Sequence, residues 1–199
     1  MAMNRFSFRK KVIAVFAGSI ILITAAFPPS AASEKFNKNS ADGCSAIILT
    51  NEDYFSALLK AIDEAQNEIF ISIFSFKTSK CKNSCPDRIL SHLAKAVKRG
   101  VKVKVILETT GNKSDELNIQ NKQTGKLLEE KGVNVFFDSP RKITHTKLVV
   151  IDQRLIFLGS HNFTQSALKY NNEISVLLDR PDLVKNVHNY MLKIIKEAK

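Results

Sequence analysis

From Ser45 onward the apolar residues change period at short intervals, and that alternation constrains the fold more than any other feature of the chain. The run Glu68–Phe76 (EIFISIFSF) is almost wholly apolar and β-rich, as in a strand buried on both faces. Before it, Ala46–Thr50 forms a short apolar strand. Asn51 then stands as a helix cap, with Glu52 and Asp53 in the first turn and Phe55, Leu58, Leu59, Ile62 and Ala65 on one face. After the polar loop Lys77–Cys85, Pro86 opens a helix with the stripe Ile89, Leu90, Leu93, Ala94 and Val97, which Gly100 ends. Val101–Leu107 alternates at period two, with Lys102 and Lys104 opposite the valines at an exposed sheet edge or a helix-packing rim. Thr109–Ile119 reads as a polar loop rimming a cleft. A helix at about Gln120–Lys131, ended by Gly132, leads into the strand Val133–Phe137. This β-α-β-α-β-α-β order predicts an α/β sheet with helices packed outside it.

After Pro140 the style changes. Lys147–Ile151 and Leu155–Leu158 form a hairpin through Asp152-Gln153-Arg154, followed by a helical turn at Thr164–Leu168 and a strand at Glu173–Leu178. A last helix, Asp182–Ala198, carries Leu183, Val184, Val187, Met191, Ile194 and Ile195 on its apolar face. No interior linker divides this region, so 45–199 reads as one domain. Residues 33–44 are polar and read as a linker. Residues 1–32 pair Arg5, Arg9, Lys10 and Lys11 with the uncharged run Val12–Phe27 and end in small residues around Ala32. That is the pattern of a signal peptide cleaved after Ala32, with an uncleaved N-terminal membrane anchor as the alternative. Either reading places the domain outside the cytoplasm, periplasmic or secreted.

The formal net charge is +11, and removing the four basic residues of the first segment leaves +7. The excess favours polyanionic partners, nucleic acid or an anionic membrane face; a basic surface that merely keeps the chain soluble is the plainer account. The three cysteines are Cys44, Cys81 and Cys85. In an exported protein they suggest one disulfide and a spare thiol, with Cys81–Cys85 as the local candidate and Cys44 able to pair with either. A zinc site of Cys44, Cys81, Cys85 and His92 is the alternative, although the spacing matches no finger pattern.

The polar residues of the hairpin are the unexpected ones. His145 and Lys147 are two apart and share a strand face, as do Ser160 and Asn162 around His161. Gly159 permits close approach of backbone to a ligand. An imidazole, an ammonium, a hydroxyl and a carboxamide at one strand end suit a tetrahedral anion, with the imidazole able to attack or exchange protons.

His145-x-Lys147-(x4)-Asp152-(x6)-Gly159-Ser160-x-Asn162 resembles the signature of the phospholipase D superfamily, and nearly all of 45–199 resembles its small single-motif members, the Nuc-type bacterial endonucleases and the Zucchini-type proteins. The resemblance implies a mixed central β-sheet flanked by helices on both faces, and a catalytic set of His145, Lys147, Ser160, Asn162, Glu173 and Asp152. His145 would be the nucleophile that forms a phosphohistidine. Lys147 and Asn162 would hold the non-bridging oxygens, with Ser160 in support, and Glu173 would orient the imidazole. Asp152 is expected to serve structure near the hairpin turn more than to touch substrate. No cofactor or metal is called for. His92, His161 and His188 start no second copy of the motif, so a homodimer is expected, its active site at the interface.

Three substrate classes follow. One is nucleic acid, DNA (single-stranded favoured) or RNA, with Arg141, Lys142 and Lys169 tracking the backbone and His161 at the rim. The second is phospholipid head groups or cardiolipin, with Phe136, Phe137 and Phe163 as an apolar rim. The third is a non-catalytic surface module that binds nucleic acid, which has no need of a nucleophile.

Overall fold

The computed structural model describes residues 45–79 and 83–198, all within one compact unit, Glu34–Lys199. The segments expected to be a targeting sequence and a linker, with Cys44 and Cys81, lie outside the described residues.

Seven strands make one mixed sheet in the order β1-β7-β6-β5-β2-β3-β4. They are β1 (Ser45–Thr50), β2 (Glu68–Ile73), β3 (Lys102–Leu107), β4 (Asn134–Phe137), β5 (Lys147–Ile151), β6 (Leu155–Gly159) and β7 (Ile174–Asp179). Strands β2, β3 and β4 run parallel, and the other neighbours pair antiparallel. The helices are α1 (Glu52–Glu64), α2 (Cys85–Lys98), α3 (Glu116–Glu129), α4 (Gln165–Lys169) and α5 (Pro181–Glu197).

The period-two alternation divides the core. Ile69, Ile71, Val103, Val105, Val149 and Phe157 pack with Leu58 and Ile62 of α1 and with Ile89 and Leu93 of α2. Phe70, Ile106, Leu148, Val150 and Ile156 pack with Val184, Met191 and Ile194 of α5 on the opposite face. Lys104 fits this second face at the helix rim: its Nζ lies 2.7 Å from Glu68, which His188 of α5 approaches at 3.5 Å.

Three expectations change. Asn51 makes no side-chain cap to α1; its backbone is left-handed, and its Oδ1 accepts the amide of Glu173 at 2.9 Å instead. The helix expected from Gln120 begins at Glu116, because the Asp115 side chain caps the amides of Leu117 and Asn118 at 2.9 and 3.3 Å. The apolar run from Glu68 leaves the sheet after Ile73. Phe74 N–H then donates to Thr146 at 2.9 Å and Lys77 N–H to Phe163 at 2.9 Å, so the chain stays extended while changing partners.

Candidate active site

In this topology the carboxyl ends of β2, β3, β4 and β6 and the amino ends of β5 and β7 meet at one end of the sheet. Side chains from separate parts of the chain converge there.

His145 and Lys147 lie at the amino end of β5. The imidazole is exposed, whereas Lys147 is only 7% exposed. Lys147 Nζ sits 3.0 and 3.1 Å from the two ring nitrogens of His145 and donates to its carbonyl at 2.9 Å. Phe74, just past β2, holds both. Its ring centroid is 4.4 Å from that of His145 and 5.0 Å from Lys147 Nζ, a cation–π contact. Behind them the hydroxyls of Ser72 and Thr146 meet at 2.6 Å. Burial lowers the Lys147 ammonium below the usual lysine range, and the charge of Glu173 partly restores it.

The Gly-Ser-x-Asn segment continues from β6. At Gly159 a Cβ would fall 2.4 Å from Ser175 Cα and 2.5 Å from the Ile174 carbonyl. The glycine therefore permits close approach of strand to strand, not of backbone to ligand. Ser160 Oγ donates to Glu173 and accepts the Ile174 amide at 3.1 Å, while Asn171 donates to the other Glu173 oxygen at 3.1 Å. Glu173 is thus engaged by Ser160 and Asn171 within the single chain; among the described residues it makes no hydrogen bond to His145, and its charge bears on Lys147. Asn162 is half-buried, with Oδ1 buried and without a partner among the described residues. Phe163, paired through its backbone with Ser75 and Lys77, fixes that position.

Other expected site residues fall elsewhere. His161 is a buried anchor, not a rim residue. It is fully enclosed, stacked on Tyr54 at 4.2 Å, and bonded to Ser175 Oγ at 2.7 Å and the Asn51 carbonyl at 3.0 Å. Alternation along the segment turns it to the helix-covered side. Phe163 is likewise buried, and Phe136 and Phe137 pack against the two cores, so they form no apolar rim. Asp152 sits at the far end of β5, where its carboxylate accepts the amides of Gln66, Asn67 and Glu68 at 2.8, 2.7 and 3.0 Å. Arg141 and Lys142 are exposed on the segment leading to His145, and Lys169 is exposed at the end of α4. His92 bonds Asp63 at 2.7 Å, joining α2 to α1, and Cys85 is a buried free thiol. Among the described residues no group of three acidic, His or Cys side chains gathers to hold a metal.

Phe74 and Asn171 had no signal of their own in the sequence. An aromatic inside an apolar run reads as core, and an asparagine in a polar loop reads as a turn.

Residues 58–195, more than half of the chain, match the family described as cardiolipin synthase, PLD-like domain. The chain is 28% identical over 141 residues to the mitochondrial cardiolipin hydrolase of Homo sapiens, covering 71% of this chain and 50% of that protein. It is 27% identical over 129 residues to the phospholipase D of Rickettsia prowazekii, covering 65% and 56%. The chain thus spans little more than half the length of these curated relatives. In fold it is similar to Nuc, a phospholipase D family member from Salmonella typhimurium, with a TM-score of 0.66 at 24% identity over 78% of this chain and 97% of that one. NucT from Helicobacter pylori is similar too, with a TM-score of 0.64 at 19% identity over 77% and 97%.

Proposed function

Because the chain belongs to the PLD-like domain family, we propose that it is a metal-independent phosphodiesterase, exported and acting as an endonuclease on DNA or RNA. The observation that carries this reading is the exposed imidazole of His145, held between Phe74 and the Lys147 ammonium at one end of the sheet. A ring nitrogen of His145 attacks phosphorus, an N–P bond forms and the P–O bond to the leaving group breaks. Lys147 and the Asn162 carboxamide stabilise the charge that builds on the non-bridging oxygens. Water then attacks the phosphohistidine, and the N–P bond breaks.

The leaving oxygen needs a proton and the water needs a base. Among the other histidines His161 is enclosed, while His92 and His188 face Asp63 and Glu68. The role therefore goes to His145 of a second copy of the chain. Ile48, Leu158 and Ile174 are exposed beside the site on one sheet face, an apolar surface suited to that copy.

Nucleic acid is favoured by the basic excess and by exposed Arg141 and Lys142 on the segment before His145. A lipid phosphodiester is the second reading, favoured by Ile143, 71% exposed two residues before His145, and by the names of the curated relatives.

The test is incubation with excess chelator and labelled single-stranded DNA, duplex DNA, RNA or cardiolipin vesicles, beside a His145→Ala control. Strand cleavage lost in the variant, with a phosphohistidine trapped at 145 by acid-free mass spectrometry, is expected. Lipid turnover with inert nucleic acid moves the assignment to the second reading. Tight nucleic-acid binding without turnover removes the enzyme reading.

A further inference from the structure

Outside the cluster just described, two buried acids meet behind the segment that delivers His145. Glu108 follows β3 and is 1% exposed; Asp138 follows β4 and is 3% exposed. Glu108 Oε2 accepts the Thr144 amide at 2.5 Å, directly before His145 in the chain. Asp138 Oδ1 accepts the Thr109 amide at 2.7 Å, while Asp138 Oδ2 is buried with no partner among the described residues. The two acids directly follow Leu107 and Phe137, paired residues of neighbouring strands, and Asp138 N–H donates to the Leu107 carbonyl at 3.1 Å, so the two carboxyls emerge side by side. Two carboxylates cannot both stay ionised in such a place, and an orphaned acceptor beside a second carboxyl is what one shared proton resolves.

We propose that Glu108 and Asp138 share a single proton, carried by Glu108 and donated to Asp138 Oδ2, and that the pair holds segment 138–145 so that His145 stands exposed beside Lys147 at this end of the sheet. Glu108 is then a positioning residue acting through Thr144. The consequence for turnover rests on the reading of His145 as nucleophile; the shared proton does not.

The surroundings agree. Glu108 meets Thr144 from the segment before β5 and Asp138 from the loop after β4; among the described residues the charges that bear on it, those of Asp138 and of Asp115 at the start of α3, are acidic. Asn121 of α3 donates to the Glu108 carbonyl at 2.9 Å and fixes the backbone. Burial pushes the Glu108 carboxyl up to about 7, with the bond to Asp138 adding to the rise. The folded state therefore holds this proton more tightly than the unfolded chain. The stability it confers is complete below the ordinary carboxyl range and is lost as pH climbs through about 7.

Glu108→Gln is the informative variant, since its amide can donate to Asp138 while its oxygen accepts Thr144. The reporter is the Thr144 backbone amide, followed by NMR against pH. It should titrate near pH 7 in the wild type and stay flat in Glu108→Gln. The melting temperature of Glu108→Gln should gain on the wild type as pH rises from about 5 to 8. On nucleic-acid substrate Glu108→Gln should keep kcat within about threefold and lose the alkaline decline due to this proton. Glu108→Ala should lose roughly 10- to 100-fold in kcat with KM little changed. A wild-type amide titrating in the ordinary carboxyl range overturns the proposal. So does a titration that persists in Glu108→Gln, or equal kcat losses in the two variants. Should no substrate be turned over by any form, the assignment of function fails, while the amide titration and the melting comparison still decide the shared proton.

Discussion

At Lys147 and Asp152 the structure separates two roles that the sequence prints as one motif. Lys147 touches the imidazole, whereas Asp152 ties the turn after β5 to three amides at the start of β2. Lys147→Met, which keeps the bulk and removes the charge, should cut turnover by roughly 100-fold or more with an unchanged melting temperature. Asp152→Ala should do the reverse: about 1.5–3 kcal/mol of stability lost in urea unfolding, with turnover per folded molecule largely kept. Gly159→Ala forces a methyl into β7 and should cost about 1–3 kcal/mol by the same measurement. Period-two spacing made the juxtaposition of His145 and Lys147 legible in advance, and the family resemblance pointed Asp152 to structure near the turn. A histidine beside polar neighbours reads as exposed, whereas the burial of His161 depends on Tyr54 and Ser175, far away in sequence.

Helix α3 shows what periodicity misses. Its inner face uses hydrogen bonds more than apolar bulk. Asn121 accepts the Phe76 amide at 3.0 Å and donates to the Phe74 and Glu108 carbonyls at 2.8 and 2.9 Å, and Thr124 donates to the Phe76 carbonyl at 2.7 Å. A helix that packs through amides carries a weak apolar stripe, so its first turn reads as loop in the sequence. The remaining elements bury apolar stripes at regular spacing and were legible to within a few residues. This polar face clasps the stretch that holds Phe74 against His145. Asn121→Leu leaves the Phe76 amide and two carbonyls unsatisfied, at about 1–3 kcal/mol for each buried group. The melting temperature should fall together with kcat, whereas Asp115→Ala should cost only about 1 kcal/mol by fraying the first turn.

For the whole molecule the open surface is the sheet face around Ile48, Leu158 and Ile174, which α5 leaves uncovered. If a second copy completes the site, the wild type should sediment as a dimer. Leu158→Asp should then shift it to monomer and lower turnover at least tenfold, with stability changed by no more than about 0.5 kcal/mol. A monomeric wild type with full turnover would sink the shared-site reading. The placement of Asp152 reaches beyond this chain. The five-residue strand Lys147–Ile151 puts roughly 15–20 Å between the motif's lysine and its aspartate. Divergence should thus act on the two letters unequally: a descendant can swap the aspartate for another amide acceptor and go on cutting phosphodiesters, while one that keeps the aspartate and loses the lysine retains only the shape.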